Sequence, residues 1–161
     1  MLKVFFPKED KLVKLRYDML GMGVNVVTAR SGDIRGGMAA AWATQVALKC
    51  ICVCIGSQSY TRKLILKSRA FGFHVLAGDQ LRLAKRFGSG NSGKIDKFKG
   101  LKVRAGRTGS PVLKDCGLWF ECRVIKVINM DKDSKLIVGR IVAAGKGRRS
   151  FKPLIYRQSD Y

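Results

Sequence analysis

Leu118-Trp119-Phe120-Glu121-Cys122-Arg123-Val124-Ile125-Lys126-Val127-Ile128 and the return Leu136-Ile137-Val138-Gly139-Arg140-Ile141-Val142-Ala143-Ala144 carry the chain's strongest sheet signal. Both runs are apolar and rich in β-branched residues, and the segment between them, from Asn129 to Ser134, is polar and turn-forming. The pair therefore reads as a long antiparallel hairpin. Residues 24–30 are likewise rich in β-branched side chains and end at Ser31-Gly32-Asp33, a turn signal that makes this strand the first arm of another hairpin. Residues 51–55 form a short apolar run, and over 70–76 Phe71, Phe73 and Val75 alternate onto one face, so both read as strands. Two short helices interrupt them. Ser59 can cap one that runs to about Ser68 with Leu64 and Ile65 inward, and Asp79 can cap another through Leu81, Ala84 and Phe87. Many short strands and glycine-rich turns favour a closed or nearly closed antiparallel barrel, which hides its edges.

The chain of 161 residues has the length of one domain, and its 47% hydrophobic content is enough for one packed core. No interdomain linker and no internal repeat breaks it. No apolar run approaches the ~20 residues of a membrane span, and residues 1–11 lack a signal peptide's apolar core. Five cysteines, an odd number, exclude a fully paired disulfide framework, and a soluble protein of the reducing cytoplasm fits best. The net charge of +21 attracts phosphate-bearing partners. No acid occurs over residues 34–78 or 134–159, yet only Gly145-Lys146-Gly147-Arg148-Arg149 is a dense basic cluster, so charge alone assigns no partner.

Several motifs lack the context that their chemistry needs. Residues 88–93 satisfy G-x-G-x-x-G and residues 88–94 match the start of a P-loop, but a helix rather than a strand precedes them, and Ile95 stands where a P-loop carries its magnesium-binding hydroxyl. Cys50, Cys52 and Cys54 fall on one face of a strand with sulfurs spread by about 6–7 Å, unlike the C-x₂₋₄-C turns that wrap zinc. Buried thiols account for them, and for Cys116 and Cys122. His74 is the one histidine, with no carboxylate beside it in sequence, and reads as a core residue. Glu121 reads as a single strand acid that pairs with an arginine. No side-chain acid–base catalyst emerges.

Two segments are chemically suggestive. In Arg35-Gly36-Gly37-Met38-Ala39-Ala40-Ala41-Trp42-Ala43-Thr44-Gln45 the small side chains leave backbone N–H groups open to the edge of a flat heterocycle, with Trp42 as a wall against water. In Ser57-Gln58-Ser59-Tyr60-Thr61 hydroxyls meet a helix start, and Arg62 and Lys63 add charge, which suits a phosphate. Heterocycle plus phosphate is a nucleotide-like cofactor; a tight turn followed by a capped helix is the plainer alternative.

The order of these segments resembles the flavin reductase-like, FMN-binding split β-barrel family, which includes flavoredoxins and an archaeal ferric reductase. The matching pieces are Val26-Val27-Thr28-Ala29-Arg30, the segment from Met38 to Gln45, Tyr60-Thr61 with Leu64-Ile65, and the strand from Phe71 to Leu76. The loop with Phe87-Gly88, Ser92-Gly93 and Asp96-Lys97-Phe98 follows, then Trp119 to Val124, Val138-Gly139 and Pro153-Leu154-Ile155-Tyr156. The resemblance implies a mainly β, split antiparallel barrel with a few short helices, one FMN-binding domain over 1–161, and a homodimer with FMN near the subunit interface. It implies that the backbone of Ala39, Ala40 and Ala41 faces the flavin ring, that Trp42, Thr44 and Gln45 support it, and that Ser57, Ser59, Tyr60 and Thr61 hold the phosphate. Lys97 and the loop from Asn91 to Gly93 would close over the ring.

The implied activity is hydride transfer from NADH or NADPH to flavin and electrons onward, chemistry that belongs to the cofactor. Departures bear on it. The family's Thr and Ser fall at Ala39 and Ala41, and its histidine at Ser134, which weakens nicotinamide binding and admits a flavoredoxin-like carrier or a ferric reductase. A non-enzymatic basic barrel that binds nucleic acid is the alternative of another class; it calls for surface aromatics among Lys and Arg, of which the sequence shows few.

Overall fold

The computed structural model describes residues 20–160. The absence of a signal-like core in residues 1–11, and the start of the 1–161 domain, lie outside them. In chain order the strands are β1 (Asn25–Ser31), β2 (Ile34–Ala40), β3 (Ala43–Ala47), β4 (Cys50–Gly56), β5 (Ala70–Val75), β6 (Val103–Ala105), β7 (Pro111–Leu113), β8 (Leu118–Asn129) and β9 (Ser134–Lys146), with helices α1 (Tyr60–Ser68) and α2 (Leu81–Gly88). Seven strands form one sheet in the order β2-β1-β5-β8-β9-β4-β3, while β6 and β7 pair by themselves. Every pairing is antiparallel.

The sheet's two edge strands, β2 and β3, follow each other in sequence with only Ala41 and Trp42 between them. Ala43 N–H bonds Ala41 O at 2.9 Å, and Trp42 O accepts from Cys54 N at 2.8 Å. A two-residue link cannot span an open seven-stranded sheet, since neighbouring strands lie about 4.8 Å apart. The sheet therefore curls until its edges meet, as a mainly β antiparallel barrel split between β2 and β3. Bulges at Val142 of β9 and Ile125 of β8 tighten the curl.

Strand alternation divides the buried side chains. Val27, Ile51, Val53, Phe71, Phe73, Cys122 and Ile137 point inward, and Leu64 and Ile65 of α1 join them. Val24, Val26, Leu76, Ala84, Phe87, Phe98, Leu113 and Leu154 form a second cluster outside. The hairpins and both helices stand where the sequence pattern puts them. Ser59 caps α1, its hydroxyl accepting from Arg62 N at 3.2 Å.

Two local expectations are corrected. Gln80, not Asp79, is the N-cap of α2, and it makes no side-chain cap bond. The Asp79 carboxylate instead accepts from Arg148 Nη1 at 2.6 and 2.8 Å, because the guanidinium offers a full opposite charge where the cap offers only backbone N–H groups. Glu121 meets no arginine among the described residues. Fully buried, its Oε1 accepts from Thr108 N at 2.9 Å and Thr108 Oγ1 at 3.0 Å in the turn between β6 and β7. That hairpin was not legible in the sequence, its strands being three residues each. No helix among the described residues is long and apolar enough to cross a membrane.

Candidate functional site

In an antiparallel pair every second residue turns its N–H and C=O away from its partner. On β2 these outward residues are fixed by Gly37, opposite Thr28 in the register. Its N–H donates to Ser92 Oγ at 3.2 Å, and its carbonyl accepts from that hydroxyl at 2.7 Å, so Gly37 faces the split. By the same alternation Ala39 faces it too, two residues on and opposite Val26. Its Cβ is small, which leaves the backbone edge open as the sequence suggests. Gly37 also admits the outer cluster: a Cβ there would lie 2.5 Å from Phe87 Cε1.

α1 begins beside this edge. Ser59 Oγ, besides capping the helix, donates to Met38 Sδ at 3.1 Å. Ser57 N–H donates to Asp133 O at 2.6 Å, which ties the turn between β8 and β9 to the helix start. Thr61 is buried there. The first-turn N–H groups of Tyr60 and Thr61 have no intrahelical carbonyl to bond and present donors at the positive end of the helix dipole. Arg62 lies beneath them: Nη1 reaches Ile55 O and Asp133 O at 3.5 Å, Nη2 reaches Ser57 O at 3.4 Å, and Nε is buried without a partner. These bonds sit at the long limit for N–H···O. The guanidinium thus keeps donor capacity that its own carbonyls do not use.

The loop after α2 closes the third side. Gly93 lies against the Tyr60 ring, where a Cβ would be 3.0 Å from Cδ2, and Gly93 N–H donates to Asn91 Oδ1 at 2.8 Å. Arg35 pairs with Asp96 at 2.9 Å and stacks over Phe98. The Phe98 N–H and Arg35 pull the Asp96 pKa below the usual carboxylate range.

The structure thus gathers Ala39, Ser57, Ser59, Tyr60 and Thr61 with the loop from Asn91 to Gly93 around the split, and Ala40 and Ala41 continue the same segment. It places Lys97, Thr44 and Gln45 apart from this cluster and leaves Trp42 at the corner of the split. The Lys97 ammonium is buried on Phe87 O at 2.7 Å, and burial lowers its pKa. Trp42 is 46% exposed at the corner between β2 and β3. Thr44 and Gln45 line a cavity of about 280 Å³ at the barrel's other end. A cavity of about 360 Å³ beside α2 and Arg148 shares no residue with the split. In the sequence Arg62 reads only as added charge; two of its three carbonyls, those of Ile55 and Ser57, are close in sequence, and nothing but the fold brings Asp133 to it.

A model of the flavin reductase like domain matches residues 17–161. A ferric-chelate reductase (NAD(P)H) of Archaeoglobus fulgidus is 29% identical over 129 residues, covering 78% of this chain and 76% of that protein. An FMN reductase (NADH) of Bradyrhizobium diazoefficiens is 28% identical over 131 residues, covering 77% and 69%. The chain spans only about a fifth of the length of the diflavin flavoproteins of Nostoc and Synechocystis that it matches. The crystal structure of an FMN-binding protein from Thermus thermophilus superposes with a TM-score of 0.75 at 23% identity, covering 91% of this chain and 80% of that one, which shows the fold. The geometry of the split and the match over residues 17–161 agree: the chain belongs to the flavin reductase-like family.

Proposed function

We propose that this chain binds FMN in the split between β2 and β3 and works as an NAD(P)H:flavin oxidoreductase. The observation that carries the reading is the pairing of an open strand edge at Ala39 with a helix start over an arginine whose buried Nε has no partner. An edge N–H and C=O suit the uracil-like edge of a flavin, and the first turn of α1 with Arg62 suits its phosphate. Ala39 and Ala41 lack hydroxyls, so the backbone alone holds the ring there. Ser92 keeps Gly37 occupied and sets where the open edge begins. When bound, FMN supplies the hydride chemistry, accepting two electrons from NADH or NADPH and passing them on. The relatives named FMN reductase (NADH) and ferric-chelate reductase (NAD(P)H) support a nicotinamide donor. The second supports a ferric acceptor as the alternative outlet.

Ser134, opposite Gly56 at the phosphate turn, is held by the Asp131 carboxylate through its N–H at 2.6 Å and its hydroxyl at 3.1 Å. It offers no cation to the donor's phosphates, so we expect nicotinamide to be held weakly. A homodimer in the cytoplasm completes the reading. Trp42, Val46 and Leu48 expose apolar surface at the β3 end of the sheet, and a second copy would cover it.

Titration with FMN and with riboflavin tests the site. Wild type should bind FMN and gain melting temperature. Arg62→Gln should weaken FMN about tenfold or more while leaving riboflavin nearly unchanged, because a charge-assisted bond contributes about 1.5–3 kcal/mol and touches only the phosphate. Equal losses for both ligands would place the phosphate elsewhere.

A further inference from the structure

The barrel is filled unevenly along its axis. Leu64 and Ile65 of α1 pack among Ala29, Ile55 and Ile137 at one end. At the other end, where β1 and β8 begin and β5 finishes, the inward side chains of Phe73, Val75, Phe120 and Ile141 surround the cavity of about 280 Å³. None of its eleven lining residues carries a charge, in a chain with a net charge of +21. A charged occupant would lose its hydration there with no counter-ion, whereas apolar surface is favourably buried.

The polar group deepest in this end is Asn25, 5% exposed. Its Nδ2 donates to Gly23 O and Ala40 O, both at 3.3 Å. The end that meets two carbonyls must be the NH₂, so the other is the oxygen, and no described residue donates to it. Gln45 repeats the pattern at the rim, its Nε2 donating to Leu48 O at 3.1 Å. Asn25 has committed both of its amide hydrogens, so what it offers the cavity is an acceptor.

We propose that this end of the barrel is a binding site for a small, uncharged ring compound that carries one hydrogen-bond donor, of the phenol type, with its ring on Phe73, Val75, Phe120 and Ile141 and its O–H donating to Asn25 Oδ1. Size fits one ring, since the cavity falls just below the range of drug-sized pockets. The site lacks the split edge at Ala39 and the first turn of α1 that carry the FMN reading, although it borders Ala40 through Asn25 and takes Ala43, Thr44 and Gln45 from β3.

Phenol and its methyl ether, anisole, differ by the donor alone and are the probes. Ligand-observed NMR on the full chain, with and without FMN, should show saturable phenol binding about fivefold tighter than anisole, the size of one neutral hydrogen bond. Ile141→Phe, and Val75→Phe at the position opposite Asn25 in the register, fill the cavity and should each remove binding of both probes. In Asn25→Leu the preference for phenol should vanish; if that variant does not fold, the two filling variants decide. The inference is overturned if neither probe binds saturably, if the filling variants bind as wild type does, or if phenol and anisole bind equally. Displacement of phenol by FMN would also overturn it, because the cavity would then belong to the flavin. A chain that binds phenol but no FMN would sink the function proposed above and leave this site standing.

Discussion

His74 lies on the outer face of β5 with no exposure, and both ring nitrogens are committed. Nε2 accepts from Leu113 N at 3.1 Å, so Nδ1 carries the hydrogen and donates it to Val26 O at 3.0 Å. A second proton would break the Leu113 bond and bury a charge. Burial pushes the His74 pKa down to about 4, against an upward pull from the Val26 carbonyl. The folded value is below the unfolded one, about 6.5, so as pH falls the unfolded chain takes up the proton first. Stability is full above pH 6.5 and is lost between 6.5 and 4, by about 2 kcal/mol at pH 5. Urea unfolding at pH 7 and pH 5 should show this difference, and His74→Asn should abolish most of it whatever its own stability at pH 7. Asp79, Asp96 and Asp131 are all pulled below the ordinary carboxylate value and act only in more acid solution. A slope in His74→Asn equal to wild type would assign the effect to another group.

Among the elements, the loop over residues 89–97 has the simplest attachment to the split, one hydroxyl on both backbone atoms of Gly37. Ser92→Ala should leave the barrel folded, accelerate amide exchange across that loop, and weaken FMN several-fold by freeing Gly37 to compete with Ala39 for the ring edge. Unchanged exchange would mean that Arg35 with Asp96 and Lys97 with Phe87 hold the loop unaided. Gly37→Ala is a different experiment: its Cβ would drive into Phe87 and cost about 1–3 kcal/mol of stability. At this scale the sequence was legible where apolar residues run long. β8 and β9 declare themselves through their length, and β5 through the alternation of Phe71, Phe73 and Val75. β3 does not, because Ala43-Thr44-Gln45-Val46-Ala47 is small and mostly exposed and shows neither period. The two segments of the candidate site could be named for their chemistry, but the split that joins them depends on which edges meet, a property of the closed sheet. Glu121 misled for the same reason: its partner Thr108 belongs to a turn that becomes a neighbour only after β7 docks.

Taken as a whole, the molecule carries far more positive charge than its acids can offset. Asp33, Asp96, Asp79 and Asp115 are each paired, the last two with Arg148 of the dense basic cluster, so that cluster is partly neutralised. Arg123 and Arg140 stand directly opposite each other on exposed β8 and β9, with no ion-pair partner among the described residues. Like charges so placed repel, and salt screens them. Raising salt from about 0.05 M to about 0.5 M, where the Debye length becomes much shorter, should therefore raise the melting temperature. FMN affinity should change little, since one phosphate is contacted, whereas binding to nucleic acid would fall steeply with salt. Trp42, 46% exposed beside the open edge, and Leu48, 88% exposed at the end of β3, put apolar surface at the split, where a second copy would both cover it and shelter the flavin. Sedimentation should give about twice the chain mass of 17.8 kDa. Trp42→Glu, a change at an exposed side chain, should then give a folded monomer with weakened FMN binding. A wild-type protein that sediments as a single chain at about 100 μM, well above the Kd of a stable dimer, would mean that the split holds its ligand without a partner.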